Sequence, residues 1–298
     1  MKTVIVDFDN SFTLEGHDID DIIALLYLLS CEHITVPFVC TTFGNSTVAN
    51  VNRCTENFFH RAGIDLPIFS GNELMLHSDK NEGIESAKTN KAAAAMIAYI
   101  ERHPNNVELL ALGSLRNFAD AFLCAPQTMQ KIKGFTAMGG TTAPLIFNKT
   151  EMAELNFSID AAASELVLKN FPHPNIITGN NCIEHCYTID DFDSCPKTKI
   201  MSMLREPIIR WLQFFEKKFH FSGNVLWDLI AAMYVADPDR FINTTDTFEL
   251  SFEQVKSGQL IQASSATRLN LPRLKSNENF YPEVFQKISM VCENSLKL

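Results

Sequence analysis

Five aspartates lie close together near the start of the chain: Asp7, Asp9, Asp18, Asp20 and Asp21. The first two come where an apolar, strand-like run should end, and the last three open an apolar run with helical spacing. These carboxylates repel one another, and a folded protein tolerates them chiefly when a cation lies among them. A hard divalent cation lowers the pKa of a bound water molecule, and a spare carboxylate accepts the proton. The cluster therefore predicts a metal site that makes a nucleophile from water.

An ordinary acidic loop is the alternative interpretation of the same residues. Acids in the first turn of a helix interact favourably with the helix dipole, which would explain Asp18 and Asp20. The dipole does not explain Asp7 and Asp9, which stand at the end of a strand. The cation interpretation accounts for both groups.

The composition is that of a globular protein with no preference for polyanions. The chain has 298 residues, of which 46% are hydrophobic and 20% charged, enough to bury a large core. The net charge is −10 and no basic stripe is visible, so we expect neither a nucleic-acid nor a membrane partner. We also expect no signal peptide and no membrane span, and hence a cytoplasmic protein.

Eight cysteines are scattered along the chain. Cys182, Cys186 and Cys195, with His185 among them, permit a zinc site, but no second close pair supports it. Reduced thiols, as expected in the cytosol, are the preferred interpretation.

Strand-like runs alternate with helical patterns along most of the chain. We expect strands beginning at residue 3 and covering 34–40, 67–69, 107–112, 134–137 and 175–178, with strand-like pieces near 248–252 and 260–261. We expect helices over 22–30, 46–62, 91–102, 115–123, 161–168, 205–219, 226–235 and 282–291, and loops over 70–87 and 141–158. The alternation predicts an α/β fold with a mainly parallel open sheet and helices on both faces. No linker divides the chain, so we expect a single domain covering residues 1–298.

Candidate site segments follow several of the predicted strands. They are Asp7 with Asp9, residues 42–45, residues 112–113 and residues 138–140. In parallel sheets, ligands bind beyond the carboxyl ends of the strands, so these segments should gather on one rim.

Six sequence blocks follow one another between residues 3 and 241. They are Asp7-x-Asp9 with Asp20-Asp21, Thr41 to Asn45, residues 111–117, Met138-Gly139-Gly140, Asn148 with Ala153-Glu154-x-Asn156, and Asp228 with residues 237–241. In this order they resemble the blocks of the nucleoside hydrolase family, the inosine-uridine preferring enzymes. These enzymes cleave the N-glycosidic bond of ribonucleosides with a calcium-bound water and share a Rossmann-like fold.

The resemblance implies a role for each matching residue. Ca2+ would be held by Asp9, Asp21, the backbone carbonyl of Leu112 and Asp228, and Asp9 would also be the catalytic base that activates the metal-bound water. The ribose would be held by Asp20, Asn45, Asn148, Glu154 and Asn156, with Met138 lining the pocket. The resemblance further implies release of free base and ribose in purine salvage, by a homodimer or homotetramer.

The residue types suit this chemistry. A ribosyl transition state resembles an oxocarbenium ion, so carboxylates and amide oxygens around the sugar stabilise its growing positive charge. Paired amides and carboxylates also bind vicinal hydroxyls, which favours ribose over a sugar that lacks them.

The chain departs from the family pattern in two places. Asp20 follows Asp9 by 11 positions where the family has 4, so seven additional residues lie in the metal-binding turn. The acids can still converge if the extra loop bulges outward, and Asp18 could instead replace one of them. Trp227 stands where many members have the histidine that protonates the leaving base, and His77 could supply that proton instead.

Trp227 resembles the aromatic residue that stacks on the base in purine-preferring members. We therefore expect Trp227 to be both a substrate-binding and a catalytic residue, and the enzyme to prefer purine ribonucleosides. A tryptophan packed in the core at the start of a helix is the alternative.

Two other functions remain open from the sequence. Residues 7–11 also resemble the D-x-D-x-T motif of haloacid-dehalogenase-like phosphatases, in which Asp7 would be the nucleophile and magnesium the metal. A catalytically degenerate relative that binds nucleosides or ribose without turnover is the second.

Overall fold

The first strand shows how the sequence builds the two cores of the protein. In the computed structural model, which describes residues 1–76, 80–264, 266–276 and 278–291, strand β1 (Lys2–Phe8) is the central element. Val4, Val6 and Phe8 project into one hydrophobic core, and Ile5 projects into the other. This alternation is the two-residue period of a strand buried on both faces.

The remaining strands are β2 (Ile34–Thr35), β3 (Val39–Thr41), β4 (Ile68–Ser70), β5 (Val107–Ala111), β6 (Gly134–Met138), β7 (Leu145–Phe147), β8 (Thr150–Met152), β9 (Pro174–Ile177), β10 (Phe241–Ile242), β11 (Thr245–Glu249), β12 (Ile261–Gln262), β13 (Thr267–Asn270) and β14 (Arg273–Leu274). The α-helices are α1 (Asp20–Leu29), α2 (Val48–Ala62), α3 (Lys80–Ala87), α4 (Lys91–Arg102), α5 (Arg116–Cys124), α6 (Pro126–Met129), α7 (Ala161–Asn170), α8 (Gly179–Cys182), α9 (Ile189–Asp193), α10 (Lys199–Phe219), α11 (Trp227–Ala236), α12 (Phe252–Val255) and α13 (Tyr281–Ser289).

The large sheet is mainly parallel, as the sequence predicts. Strands β4, β3, β1, β5, β6, β9 and β13 lie side by side in that order and run parallel. Strands β11 and β12 continue the sheet in antiparallel pairing, and β2 pairs with the start of β1. Asp7 lies opposite Cys40 on β3 and Ala111 on β5, so these strands end level with one another. The predicted rim therefore forms.

Helices cover both faces of this sheet. Residues of α1, α2, α10, α11 and α13 share the core that contains Val6 and Phe8. Residues of α4, α5 and α7 share the core that contains Ile5. Helix α2 begins after Thr47, whose side chain accepts a hydrogen bond from the Asn50 backbone N–H at 3.3 Å. The predicted α/β architecture is confirmed.

The two predicted loops contain secondary structure that the sequence analysis missed. Within 70–87, α3 forms where buried Arg116 donates hydrogen bonds to the Leu74 carbonyl at 2.6 Å and the Ser86 hydroxyl at 3.0 Å. Within 141–158, β7 and β8 form a hairpin around Asn148 and Lys149, whose φ angles are 43° and 75°. Two residues with positive φ suit the right-handed twist of a tight hairpin.

Other boundaries also differ from the predictions. Helix α10 begins at Lys199 rather than at residue 205, because Thr198 caps it by accepting from the Met201 N–H at 3.4 Å. The short helices α8 and α9 were not predicted. Residues 252–255 are helical rather than the end of a strand, and Ser251 caps them in a capping box. The single domain stays a prediction. Within the described ranges, no helix combines the length and the apolar character that a membrane crossing requires.

Candidate active site

The segments that follow β1, β3, β5 and β6 meet at one end of the sheet and border a cavity of about 450 Å³. That volume lies in the range of small-molecule sites. The lining contains two groups of side chains. Carboxylates and amides form the first group, which we name the polar end: Asp18, Asp20, Asn45, Glu154, Asn156 and Asp228. Aromatic side chains form the second, which we name the aromatic end: Trp211, Phe214, Phe215, Phe219 and Trp227. The cavity can therefore receive a ligand with one hydroxylated part and one flat part.

Three aspartates form the centre of the polar end. Carboxylate oxygens of Asp18, Asp20 and Asp21 all lie within 4.8 Å of one another. The backbone N–H of Asp9 donates to Asp21 Oδ1 at 3.2 Å, and that of Asp228 donates to Asp20 Oδ2 at 3.0 Å. Among the described residues, no other group of three or more His, Cys, Asp or Glu is so close. The zinc alternative at Cys182, Cys186 and Cys195 is therefore not supported.

Asp9 directly follows β1, is 1% exposed and is not among the residues that line the cavity. Its Oδ2 accepts a hydrogen bond from the Asn45 backbone N–H at 2.6 Å. A Cβ added to Gly44 would lie 1.9 Å from that oxygen, and one added to Gly113 would lie 3.0 Å from Asp9 Cγ. Two glycines therefore make room for this carboxylate.

The carboxylates of this site are held in an environment that disfavours their charge. Burial, and then the charge of Asp18, raise the pKa of Asp9 to about 7. Burial followed by repulsion from neighbouring carboxylates raises the pKa of Asp20, Asp21 and Asp228 well above the usual value. Buried Asp21 Oδ2 has no hydrogen-bond partner in the described part of the chain. A bound cation would explain both the raised pKa values and the unpartnered oxygen, because Ca2+ and Mg2+ bind carboxylate oxygens through their lone pairs.

Glu154 and Asn156 organise the segment after β6. Glu154 accepts backbone N–H groups of Gly140 at 3.1 Å, Phe157 at 2.8 Å and Ser158 at 2.9 Å. Burial raises its pKa, although these hydrogen bonds act in the opposite direction. The Asn156 amide donates to the Leu112 carbonyl at 3.2 Å and to the Met138 carbonyl at 3.1 Å. Leu112 and Met138 both line the cavity.

Asn148 is the predicted sugar ligand that the structure places elsewhere. It lies exposed in the β7–β8 turn, and its side-chain amide donates to the His220 carbonyl at 2.9 Å. The sequence pattern matched its spacing, but Asn148 is not among the described residues that line the cavity, and its role as a sugar ligand stays a prediction. Asn45, in contrast, lines the cavity, where its amide donates to Asp18 Oδ1.

The additional residues of the acidic loop pack on helix α2, and the first of them, residues 10–12, are buried. The Asn10 amide donates to Thr55 of α2 at 3.1 Å. The Phe12 ring meets Phe58 of α2 edge to face at 5.3 Å. The loop then returns Asp18 to the cavity, so Asp9, Asp20 and Asp21 still converge and Asp18 joins them.

Trp227 begins α11 and is 6% exposed where it lines the cavity. Its ring meets Phe147 edge to face, with centroids 6.1 Å apart and planes at 90°. Trp227 therefore packs against the hairpin on one side and faces the cavity on another.

One face of α10 supplies most of the aromatic end, and the sequence analysis missed it. Trp211, Phe214, Phe215, Lys218 and Phe219 follow helical spacing and line the cavity. The rings of Trp211 and Phe214 are stacked, with centroids 5.2 Å apart. The amphipathic pattern was visible, but nothing local indicates that this helix covers the site.

The remaining sequence hypotheses concern Asp7 and His77. Asp7 is fully buried away from the cavity lining, and its Oδ2 accepts from the Asn117 amide at 2.6 Å. Burial raises its pKa to about 8. The buried position of Asp7 gives no support to the phosphatase alternative, in which this carboxylate would attack a phosphate ester. His77 lies outside the described residues.

Comparison with known proteins identifies the family. The profile of the inosine-uridine preferring nucleoside hydrolases matches residues 4–284. The chain belongs to this family. The resemblance that the sequence predicted is thereby confirmed.

Individual nucleoside hydrolases are similar over different shares of their length. The chain spans about three fifths of the length of the first curated relatives it matches. One of them is probable uridine nucleosidase 1 of Oryza sativa subsp. japonica, which is 26% identical over 58% of this chain and 59% of that protein. The inosine-uridine preferring nucleoside hydrolase of Crithidia fasciculata is 22% identical over 91% of this chain and 89% of that protein. A purine-preferring ribonucleoside hydrolase from Gardnerella vaginalis shares the fold, with a TM-score of 0.80 and 16% identity over 99% of each chain.

The close approach at Gly44 generates a stability prediction. Gly44→Ala should lower the free energy of unfolding by about 1–3 kcal/mol, because the added methyl group displaces the Asp9 carboxylate from a well-packed site. Gly134→Ala is the matched control, since its new Cβ would lie 3.7 Å from the nearest heavy atom. It should leave stability unchanged or raise it by up to about 1 kcal/mol. Urea denaturation of both variants measures the difference, and equal stabilities would contradict the proposed crowding.

Proposed function

We propose that this nucleoside hydrolase cleaves the N-glycosidic bond of ribonucleosides in a calcium-dependent reaction and releases free base and ribose. One observation carries the proposal: a cavity is lined both by members of an aspartate cluster and by a group of aromatic side chains. A ribonucleoside has the matching division into a polyhydroxylated sugar and a flat base.

Asp9, Asp21, Asp228 and the Leu112 carbonyl are the groups that would hold Ca2+. The unpartnered Asp21 Oδ2 and the raised pKa values of the three carboxyl groups support this assignment. The Leu112 carbonyl already accepts one hydrogen bond from Asn156, and its second lone pair remains available. A divalent cation held there would make the water beside it more acidic.

Asp9 is proposed as the general base. The Asn45 N–H fixes one of its oxygens, and the Asp9 backbone N–H donates to Asp21 of the acidic cluster. As the water oxygen forms a bond to the anomeric carbon, Asp9 accepts the water proton. The glycosidic bond breaks, and its electron pair leaves with the base, which then takes up a proton.

Asp20, Asn45, Glu154 and Asn156 are proposed to hold the sugar hydroxyls. Their oxygens also stabilise the positive charge that develops on the ribosyl group. We add Asp18 to this set, because its hydrogen bond with Asn45 places a carboxylate and an amide side by side at the cavity. Such a pair is suited to vicinal hydroxyls.

Trp227 supports a preference for purines. It faces the cavity beside Met138 and next to Asp228 in the chain, so a base attached to the bound ribose would lie against an aromatic surface. The name of the Gardnerella relative is consistent with this preference. The cytoplasmic location, the role in purine salvage, the homodimer or homotetramer and the lack of nucleic-acid or membrane partners stay predictions.

Ribose release from a nucleoside panel tests the reaction itself. The wild-type protein should release ribose in Ca2+, and a chelator should abolish the activity until Ca2+ is restored. Asp9→Ala should lower kcat by at least about 100-fold, because the general base and one metal ligand are lost together. Cleavage that persists in chelator would contradict the metal mechanism. Calorimetric nucleoside binding without any cleavage would instead favour the degenerate binding protein.

The metal assignment has a test that does not require turnover. Ca2+ should stabilise the wild-type protein against thermal unfolding by about 2.7 kcal/mol when its free concentration is 100 times Kd. Asp21→Asn should largely remove this stabilisation. Asp193→Asn is the control, because Asp193 pairs with Arg205 on the surface at 2.8 Å and should keep the full effect. Equal calcium stabilisation in both variants would overturn the assignment of Asp21.

The purine preference is tested by comparing inosine and guanosine with uridine. Trp227→Ala should lower kcat/KM for inosine about 5- to 150-fold, in line with about 1–3 kcal/mol for stacking one base on an aromatic ring. Trp227→Phe, which keeps a ring, should retain most of the activity. A wild-type enzyme that cleaves uridine faster than either purine nucleoside would refute the preference.

A further inference from the structure

Among the described residues that line the cavity, one side chain is positively charged. Lys218 stands on the aromatic face of α10, whereas the other charged lining residues are acids. Its Nζ lies 5.2 Å from the centroid of the Phe219 ring and 5.6 Å from that of Phe214. Both rings line the cavity as well, so the ammonium group is held at the wall of the site by cation–π contacts.

Lys218 is an exposed residue, and it differs from several other exposed lysines in forming no ion pair within the described ranges. Several lysines on other helices pair with a carboxylate one turn away, as Lys169 does with Glu165 at 2.6 Å. In the described part of the chain, no carboxylate oxygen lies within 4.0 Å of Lys218 Nζ. Its three N–H donors are therefore available to a ligand.

The aromatic side chains around Lys218 suit the base of a bound nucleoside. The aspartates of the lining would hold the ribose, and Trp227, next to Asp228 in the chain, lines the same cavity as α10. Lys218 is one helical turn from Phe214 and two from Trp211, on the same face of α10. A base that extends from the sugar site toward α10 would present its outer edge to this ammonium group.

We propose that Lys218 selects 6-oxopurine nucleosides by donating hydrogen bonds to O6 and N7 of the base. This inference rests on the proposed nucleoside hydrolysis and names the substrate class. Hypoxanthine and guanine carry two adjacent acceptors on that edge, whereas adenine carries one acceptor and the N6 amino donor. An ammonium group has no acceptor to offer to that amino group. Inosine and guanosine are therefore favoured over adenosine.

The inosine-to-adenosine ratio of kcat/KM tests the selection. Lys218→Met, which keeps the length of the side chain, should lower kcat/KM for inosine about 5- to 150-fold and change that for adenosine less than about threefold. Lys218→Arg retains N–H donors and should restore most of the ratio. Lys217→Met removes the same charge from the neighbouring residue, which does not line this cavity, and should leave the ratio unchanged.

Binding of the free bases provides a second measurement that is independent of turnover. The wild-type protein should bind hypoxanthine at least about tenfold more tightly than adenine, and Lys218→Met should remove the difference. If Lys218→Met lowers the two kcat/KM values equally, or leaves the base preference intact, the selection by Lys218 is refuted while nucleoside hydrolysis stands. If the wild-type protein releases ribose from no nucleoside, hydrolysis is refuted, and the base titrations still decide the role of Lys218.

Discussion

Mutual repulsion among buried carboxylates is the constraint on which the rest of this structure depends. The backbone N–H groups of Asp9, Asn45 and Asp228 each donate to a carboxylate oxygen of the cluster. Asp20 and Asp21 lie in the first turn of α1, and Asp228 lies in the first turn of α11. The positive ends of two helix dipoles therefore point at the cluster and offset part of the repulsion. Burial nevertheless raises the pKa values, which leaves a strong attraction for a cation.

The two ends of the cavity come from different parts of the fold. The polar end is built on the rim of a rigid parallel sheet, where neighbouring strands set the distances between side chains. The aromatic end is one face of α10, which crosses over that rim. A sheet edge positions reacting groups closely, and a helix face presents several side chains of one kind at regular intervals. The two groups of lining side chains can therefore vary independently within the same scaffold.

Much of the fold could be predicted because it follows from local periodicity. Local sequence patterns predict the buried strands, the helix that Thr47 caps and the segments that follow the strands. Most of the candidate site was identified by ordered motifs that resemble a family. The contributions of α10 and of Asp18 could not be assigned, because they depend on where a distant helix and an unusual loop pack. Asn148 was predicted as a sugar ligand from its motif spacing alone. The hairpin that carries it depends on tertiary structure, which the spacing does not show.

The hydrogen bond between Asp228 N–H and Asp20 joins residues 208 positions apart. Closing so long a loop costs entropy, and contacts between residues far apart in the sequence slow folding. The cavity lining includes residues of α1 and α11, so the cavity is complete only when these two helices lie together. Partly folded chains, including those still emerging during synthesis, would hold aspartates at the start of the sequence but no assembled site. An assembled site is thus a property of the finished topology, absent until the last third of the chain has been placed.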